Sequence, residues 1–274
     1  MTTTTASTGR FEPAVAAGAR TSGLATVLLF ATLNVGLAAV AVLGGLPPTL
    51  VPFVMAFGAA VLALLFARRE GNGGVRGLLA TAVKRPNRRF WYVLVGLPVA
   101  WALTVVAVAL ALGDPAVGVF DKAFPAIVII PLLVLIPAFA EEIAWRGYAV
   151  DRLLPLMSPL RAALILGIPW AALHLFLQLP GQMNDQLDWW PTIVSLLAYS
   201  VILTWAYVGS GGSVLLTALI HAGLNGVAPL MAGLDVDRTW IIRAFVAAAI
   251  AVAIALLGGF RRPTLPQPRQ GDTR

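Results

Sequence analysis

The sequence predicts an all-α fold, a polytopic bundle of about eight transmembrane helices with both termini cytoplasmic. Three observations carry that expectation. Of 274 residues, 59% are hydrophobic and only 11% charged, with a mean hydropathy of +0.87, whereas a soluble domain carries about 25% charged residues to face water. The apolar residues gather in runs of roughly 18 or more, the length that crosses ~30 Å of hydrocarbon. Basic residues then crowd into alternate connections, as they do on the cytoplasmic side of a membrane.

Eight apolar segments can be drawn, at 24–46, 49–67, 90–112, 123–154, 159–179, 191–208, 213–232 and 239–260. Backbone polar groups in lipid must be satisfied internally, so each segment is expected to be a helix. A barrel needs short alternating strands, and nothing here alternates. The fourth segment contains Pro125, Pro131 and Pro137. Each proline removes one internal hydrogen bond, so this helix is expected to bend.

The connections set the orientation. Residues 68–89 hold Arg68, Arg69, Arg76, Lys84, Arg85, Arg88 and Arg89 against a single acid, Glu70. Arg152 and Arg161 flank the fourth-to-fifth connection, and the C-terminal end adds Arg261, Arg262, Arg269 and Arg274. These face the cytoplasm by the positive-inside rule. The opposite connections carry Asp114 and Asp121, Asp185 and Asp188, and Asp235 and Asp237. Eight crossings with both termini inside satisfy every connection at once.

Domain organisation is simple. The Thr/Ala-rich residues 1–22 have no short apolar core with a small-residue cleavage site, and are expected to form a disordered tail, not a signal peptide. Residues 23–260 form one membrane domain, with its motif core at 123–232, and 261–274 is expected to be a disordered basic tail. No internal repeat and no soluble catalytic domain is visible, so any chemistry belongs in or at the membrane. The chain has no cysteine, which excludes disulfides, thiolate metal sites and a cysteine nucleophile. Its net charge of +7 sits between apolar runs, with no aromatic interleaving, and points to topology and not to nucleic acid. Seventeen Arg against two Lys, with abundant Ala, Gly and Val, fits a GC-rich bacterial genome and a bacterial plasma membrane.

Ionisable groups cost roughly 2.5–3.5 kcal/mol each within a bilayer on insertion scales, which makes them functional candidates. Within the spans lie Glu141, Glu142 and Arg146 in the fourth helix, His174 in the fifth and His221 in the seventh, with Asn225 four residues after His221. The two histidines are the only ones in the chain, and both fall in apolar segments. At 1.5 Å of rise per residue, Glu141 lies about 17 Å from Arg152, His174 about 20 Å from Arg161, and His221 and Asn225 about 12 and 18 Å from Ser213. Three helices thus bring polar groups to a similar depth. His221 and Asn225, one turn apart, share a face. Glu142 and Arg146 have the favourable i,i+4 order for an ion pair. Glu141, about 100° around the helix, is left to point elsewhere. The ion pair also reads as a packing device, and a lone membrane histidine as an interhelical hydrogen bond.

Glu141-Glu142-Ile143-Ala144-Trp145-Arg146 resembles the EExxxR motif of the CAAX-prenyl-endopeptidase and bacteriocin-processing family of intramembrane proteases. Trp170-Ala171-Ala172-Leu173-His174 looks like its second motif, usually FxxxH, and His221-Ala222-Gly223-Leu224-Asn225 like its third, HxxxN. The order of the motifs matches, and the resemblance covers Glu141 to Asn225. The one departure, Trp170 for phenylalanine, keeps an aromatic and bears on substrate fit more than on chemistry. The resemblance implies that Glu141 and His174 activate a water, that His221 and Asn225 stabilise the oxyanion, and that Glu142 and Arg146 support that geometry. Buried carboxylates suit general-base work, and donors held by packed helices suit a developing charge.

A metal-free glutamate mechanism is favoured, with no cofactor. A Zn²⁺ ion on Glu141, His174 and His221 stays open, since His₂Glu sites with a water position do catalyse hydrolysis. However, there is no H-E-x-x-H spacing, and the histidines lie 47 residues apart. The expected substrate is a membrane-embedded or lipid-anchored peptide or protein, among membrane lipids. Two other readings remain open. An ion- or proton-coupled transporter needs repeat-related halves, whereas these polar residues lie only in the second half. A non-catalytic scaffold derived from the protease would keep the same helices.

Overall fold

The computed structural model describes residues 12–71, 74–115, 125–257 and 260, with side chains from Gly23 onward. No strand occurs among them, and eight helices are long and apolar enough to cross a membrane: Gly23–Leu43, Val51–Arg69, Arg89–Ala111, Ala126–Leu153, Pro159–Gln178, Trp189–Gly209, Val214–Met231 and Val236–Leu256. Each overlaps one expected segment, and together they make a multi-pass membrane protein. Asp121, residues 1–11 and the expected tail at 261–274 lie outside the described residues.

In chain order the helices are α1 (Glu12–Leu43), α2 (Val51–Arg69), α3 (Gly74–Ala82), α4 (Leu97–Ala111), α5 (Ala126–Glu142), α6 (Asp151–Leu153), α7 (Pro159–Leu175), α8 (Trp189–Gly209), α9 (Val214–Gly226) and α10 (Val236–Leu256). Four features depart from what the sequence leads one to expect. The basic connection contains the short α3, and the third crossing opens with a 3-10 stretch at Arg89–Gly96 before α4. Glu12, within the expected N-terminal tail, already belongs to α1. The fourth departure matters most for the site. After Glu142 the chain continues as a π-helix over Ile143–Val150, closing with a bond from the Asp151 N–H to the Arg146 carbonyl, an i→i+5 reach. Single π-turns inside α-helices occur frequently at functional sites. Of the prolines expected to bend this element, Pro131 and Pro137 lie inside α5, while Pro125 forms its N-cap.

Residues Ala144–Val150 of the π-segment are all buried. Trp145 and Tyr148 pack on Phe30 of α1, with ring centroids 5.8 and 4.9 Å away, and Tyr148 meets Phe66 of α2 at 6.0 Å. Aromatic pairs of this kind add roughly 0.5–1.5 kcal/mol beyond their buried area. The segment thus has an aromatic back wall against α1 and α2, while Glu142 and Arg146 reach toward α9 and α7. At the membrane edge Arg152 forks onto both oxygens of Glu70, at 2.6 and 2.5 Å. This pairs the one acid of the basic connection.

The most buried spans are α8 and α9, and two devices fix where α9 sits. Its start is set by a Gly-Gly turn: Gly211 and Gly212 take φ of 79° and 89°, a region open to glycine and costly for other residues. Ser213 then caps the helix, accepting from the Leu216 N–H while its hydroxyl donates to the Lys84 carbonyl at 2.6 Å. Its lateral approach is set by small residues, as is common between membrane helices. A Cβ on Gly223 would stand 2.7 Å from the Pro98 ring of α4, and one on Gly226 would stand 2.3 Å from Pro131 Cγ and 2.8 Å from its backbone nitrogen. The glycines therefore let α9 close on α4 and α5 and bring His221 beside Glu142.

Replacing Gly226 by Ala is expected to lower stability by about 1–3 kcal/mol, the usual cost of overpacking. Alanine's better helix propensity is worth only ~1 kcal/mol, and the backbone of Pro131 cannot swing away as a side chain can. Thermal unfolding of the purified variant in detergent checks this, and an unchanged or raised Tm would contradict the close packing.

Candidate active site

Glu142 is the innermost of the candidate groups, with none of its surface exposed; Arg146 is 1% exposed and His221 4%. One carboxylate oxygen, Oε1, accepts from Arg146 Nη1 at 2.8 Å along the same element and from His221 Nδ1 at 2.9 Å across to α9. The i,i+4 pair anticipated from spacing is present, and a second donor is added to it. A buried carboxylate needs this: stranded without partners it would be strongly destabilising. Because an ionised carboxylate only accepts, Nδ1 of His221 carries the proton, and the ring turns its Nε2 away from Glu142.

Glu141 points elsewhere, as its position around the helix implies. Its Oε2 accepts a hydrogen bond of 2.9 Å from the indole Nε1–H of Trp170 on α7. One turn on, His174 donates from Nδ1 to the Trp170 carbonyl at 2.7 Å. A carbonyl only accepts, so the lone pair of His174 lies on Nε2. Among the described residues no hydrogen bond joins Glu141 directly to His174; both are tied to Trp170 instead. Glu141 and His174 are half-buried, so this pair lies nearer the outside of the bundle than Glu142 does.

Trp170 also links the two groups. Its ring meets His174 edge-on at 5.6 Å and His221 edge-on at 5.5 Å, and the Arg146 guanidinium stacks over it at 4.6 Å. Such a cation–π contact contributes roughly 0.5–2 kcal/mol depending on desolvation. By sequence, this departure from phenylalanine keeps an aromatic and bears on substrate fit more than on chemistry. The structure gives it a polar contact with Glu141 that phenylalanine lacks. The signal was available, because a buried indole N–H normally finds an acceptor and a carboxylate stood at the same depth.

Asn225 follows His221 by one turn of α9 and is exposed, with no side-chain hydrogen bond among the described residues. It is the one candidate not held in the network. As for a metal, among the described residues no three His, Asp or Glu side chains are grouped as an ion requires. Each imidazole gives its Nδ1–H to a protein acceptor and keeps Nε2 for another partner, while Glu141 spends one oxygen on an indole.

Residues 123–227 match the family model described as type II CAAX prenyl endopeptidase Rce1-like. Glu141, Glu142, Arg146, Trp170, His174, His221 and Asn225 all fall inside the matched segment. A curated relative, CAAX prenyl protease 2 of Methanococcus maripaludis, is 31% identical over 131 residues, covering 45% of this chain and 48% of the relative. The match thus spans about half the length of that curated relative.

Removing Glu142 separates stability from chemistry at this site. Glu142→Ala leaves Arg146 as an uncompensated buried charge and unties His221, which is expected to cost ~3–5 kcal/mol. Glu142→Gln retains an acceptor and should lose less. Unfolding midpoints of the two variants in detergent check the order; equal and small losses would mean that the pair is not buried as described.

Proposed function

We propose that this chain is an intramembrane endopeptidase that hydrolyses peptide bonds of membrane-embedded or lipid-anchored substrates. The observation that carries this reading is the convergence of Glu141, His174 and His221, from three separate helices, around the single indole of Trp170. Ionisable side chains are rare within membrane spans, and three of them in one place call for a function. The name of the curated relative, a CAAX prenyl protease, supports proteolysis as that function. The basic connections, at Arg68–Arg89 and beyond Phe260, are read as cytoplasmic, with both termini on that side.

The proposed reaction begins with a water between Glu141 and His174. The Glu141 carboxylate takes its proton while His174 Nε2 accepts the second hydrogen as a hydrogen bond, orienting the oxygen toward the scissile carbonyl. A carbon–oxygen bond forms, and the carbonyl oxygen becomes an oxyanion. His221 and the amide of Asn225 donate to it, as preorganised donors do in acyl transfer. To donate from Nε2, His221 carries protons on both nitrogens, with its charge facing the Glu142 carboxylate. Collapse of the intermediate breaks the carbon–nitrogen bond, and the proton on Glu141 passes to the departing amine. Glu142 and Arg146 touch no reacting atom; they hold His221.

The test uses purified full-length protein in liposomes with a panel of membrane-anchored peptides. Cleavage is expected with wild type and is expected to fall about 10²–10⁴-fold in Glu141→Gln and His174→Ala, the range lost with a general base. A strong zinc chelator should leave the rate unchanged under the metal-free reading, and a loss restored by zinc would overturn that part alone. Cleavage that survives Glu141→Gln would sink the assignment of the base. No cleavage in any arm would favour the scaffold reading.

A further inference from the structure

We infer that Trp170 is a positioning residue that sets both members of the water-activating pair, Glu141 through its indole N–H and His174 through its own main-chain carbonyl. The inference rests on the proposed hydrolytic role of Glu141 and His174, and adds a residue and a division of labour to it.

The geometry is specific to a tryptophan. Glu141 stands half-buried near an open side of the bundle, and its long side chain has several rotamers to choose from. The 2.9 Å bond from Trp170 Nε1 to Oε2 selects one of them and leaves Oε1 as the oxygen free to receive a proton. Trp170 itself has little freedom. It is 2% exposed, with Arg146 stacked over its ring and the two imidazoles at its edges. The orienting group is therefore rigid because the ion pair behind it is rigid. The second contact, from His174 Nδ1–H to the Trp170 carbonyl at 2.7 Å, fixes the imidazole so that Nε2 keeps its lone pair. That contact is made by the backbone and survives any side chain at position 170.

This division gives a clean variant. Trp170→Phe keeps an aromatic ring between the histidines and keeps the carbonyl, and removes only the N–H. Glu141 is then expected to sample several orientations while His174 stays fixed. The effect should appear as a kcat reduced roughly tenfold to a hundredfold, in keeping with slight misplacement of a catalytic group. KM should stay within about twofold, since no substrate contact is removed. Trp170→Ala, which also removes the surface under Arg146, is expected to fail as a folded protein and serves as the packing control.

The hydrogen bond has a readout that needs no substrate. In full-length protein labelled with ¹⁵N-tryptophan in detergent micelles, the eight tryptophans give separate indole resonances, and the one lost in Trp170→Phe is that of Trp170. Its proton should move upfield in Glu141→Ala, where the acceptor is gone. An unmoved indole resonance overturns the inference, as does full kcat in Trp170→Phe. A fall in activity matched by an equal loss of folded protein marks a packing role and also overturns it. If wild type cleaves no substrate, the hydrolytic reading falls by itself, and the resonance still decides whether Trp170 holds Glu141.

Discussion

A carboxylate shut away from water must find its partners inside the bundle, and Glu142 finds Arg146 along its own element and His221 on α9. The rest of the site follows from that demand. Arg146, held toward Glu142, lays its guanidinium over Trp170, and Trp170 in turn holds Glu141 and His174. His221 is fixed at the same time, by the same oxygen. One buried charge therefore organises three helices, and the groups proposed to do chemistry are arranged around it without being part of it.

The helices supply the conditions for this arrangement. The π-segment at Ile143–Val150 turns Trp145 and Tyr148 into a wall against α1 and α2. Gly223 and Gly226 let α9 approach α4 and α5 more closely than any residue with a Cβ would. Pro98 and Pro131, the partners of those glycines, present rings and not flexible side chains, so the separation is well defined. The position of His221 relative to Glu142 is thus a packing result as much as an electrostatic one.

Much of this was legible in the chain itself. Run length and charge asymmetry located all eight spans, because both are properties of single segments and of the bilayer. Depth counting placed Glu141, His174 and His221 at one level for the same reason, since rise per residue is nearly constant. What could not be read was which groups touch across helices. The bond from His221 to Glu142 depends on how far α9 is rotated and how closely it approaches, and those follow from glycine–proline contacts between distant parts of the sequence. The π-segment was hidden because its residues satisfy a helical pattern as well as any α-helix does. Trp170 was the missed opportunity, since its N–H demanded an acceptor and its replacement of phenylalanine was visible.

Burial is graded across the candidate site, from Glu142, Arg146 and His221 in the interior, through half-buried Glu141 and His174, to exposed Asn225. That gradient separates two kinds of evolutionary freedom. Changes at the interior end alter whether the bundle assembles at all, so few are open to a lineage. Changes around the outer end leave the assembly intact, so the same scaffold can be altered there without first being rebuilt.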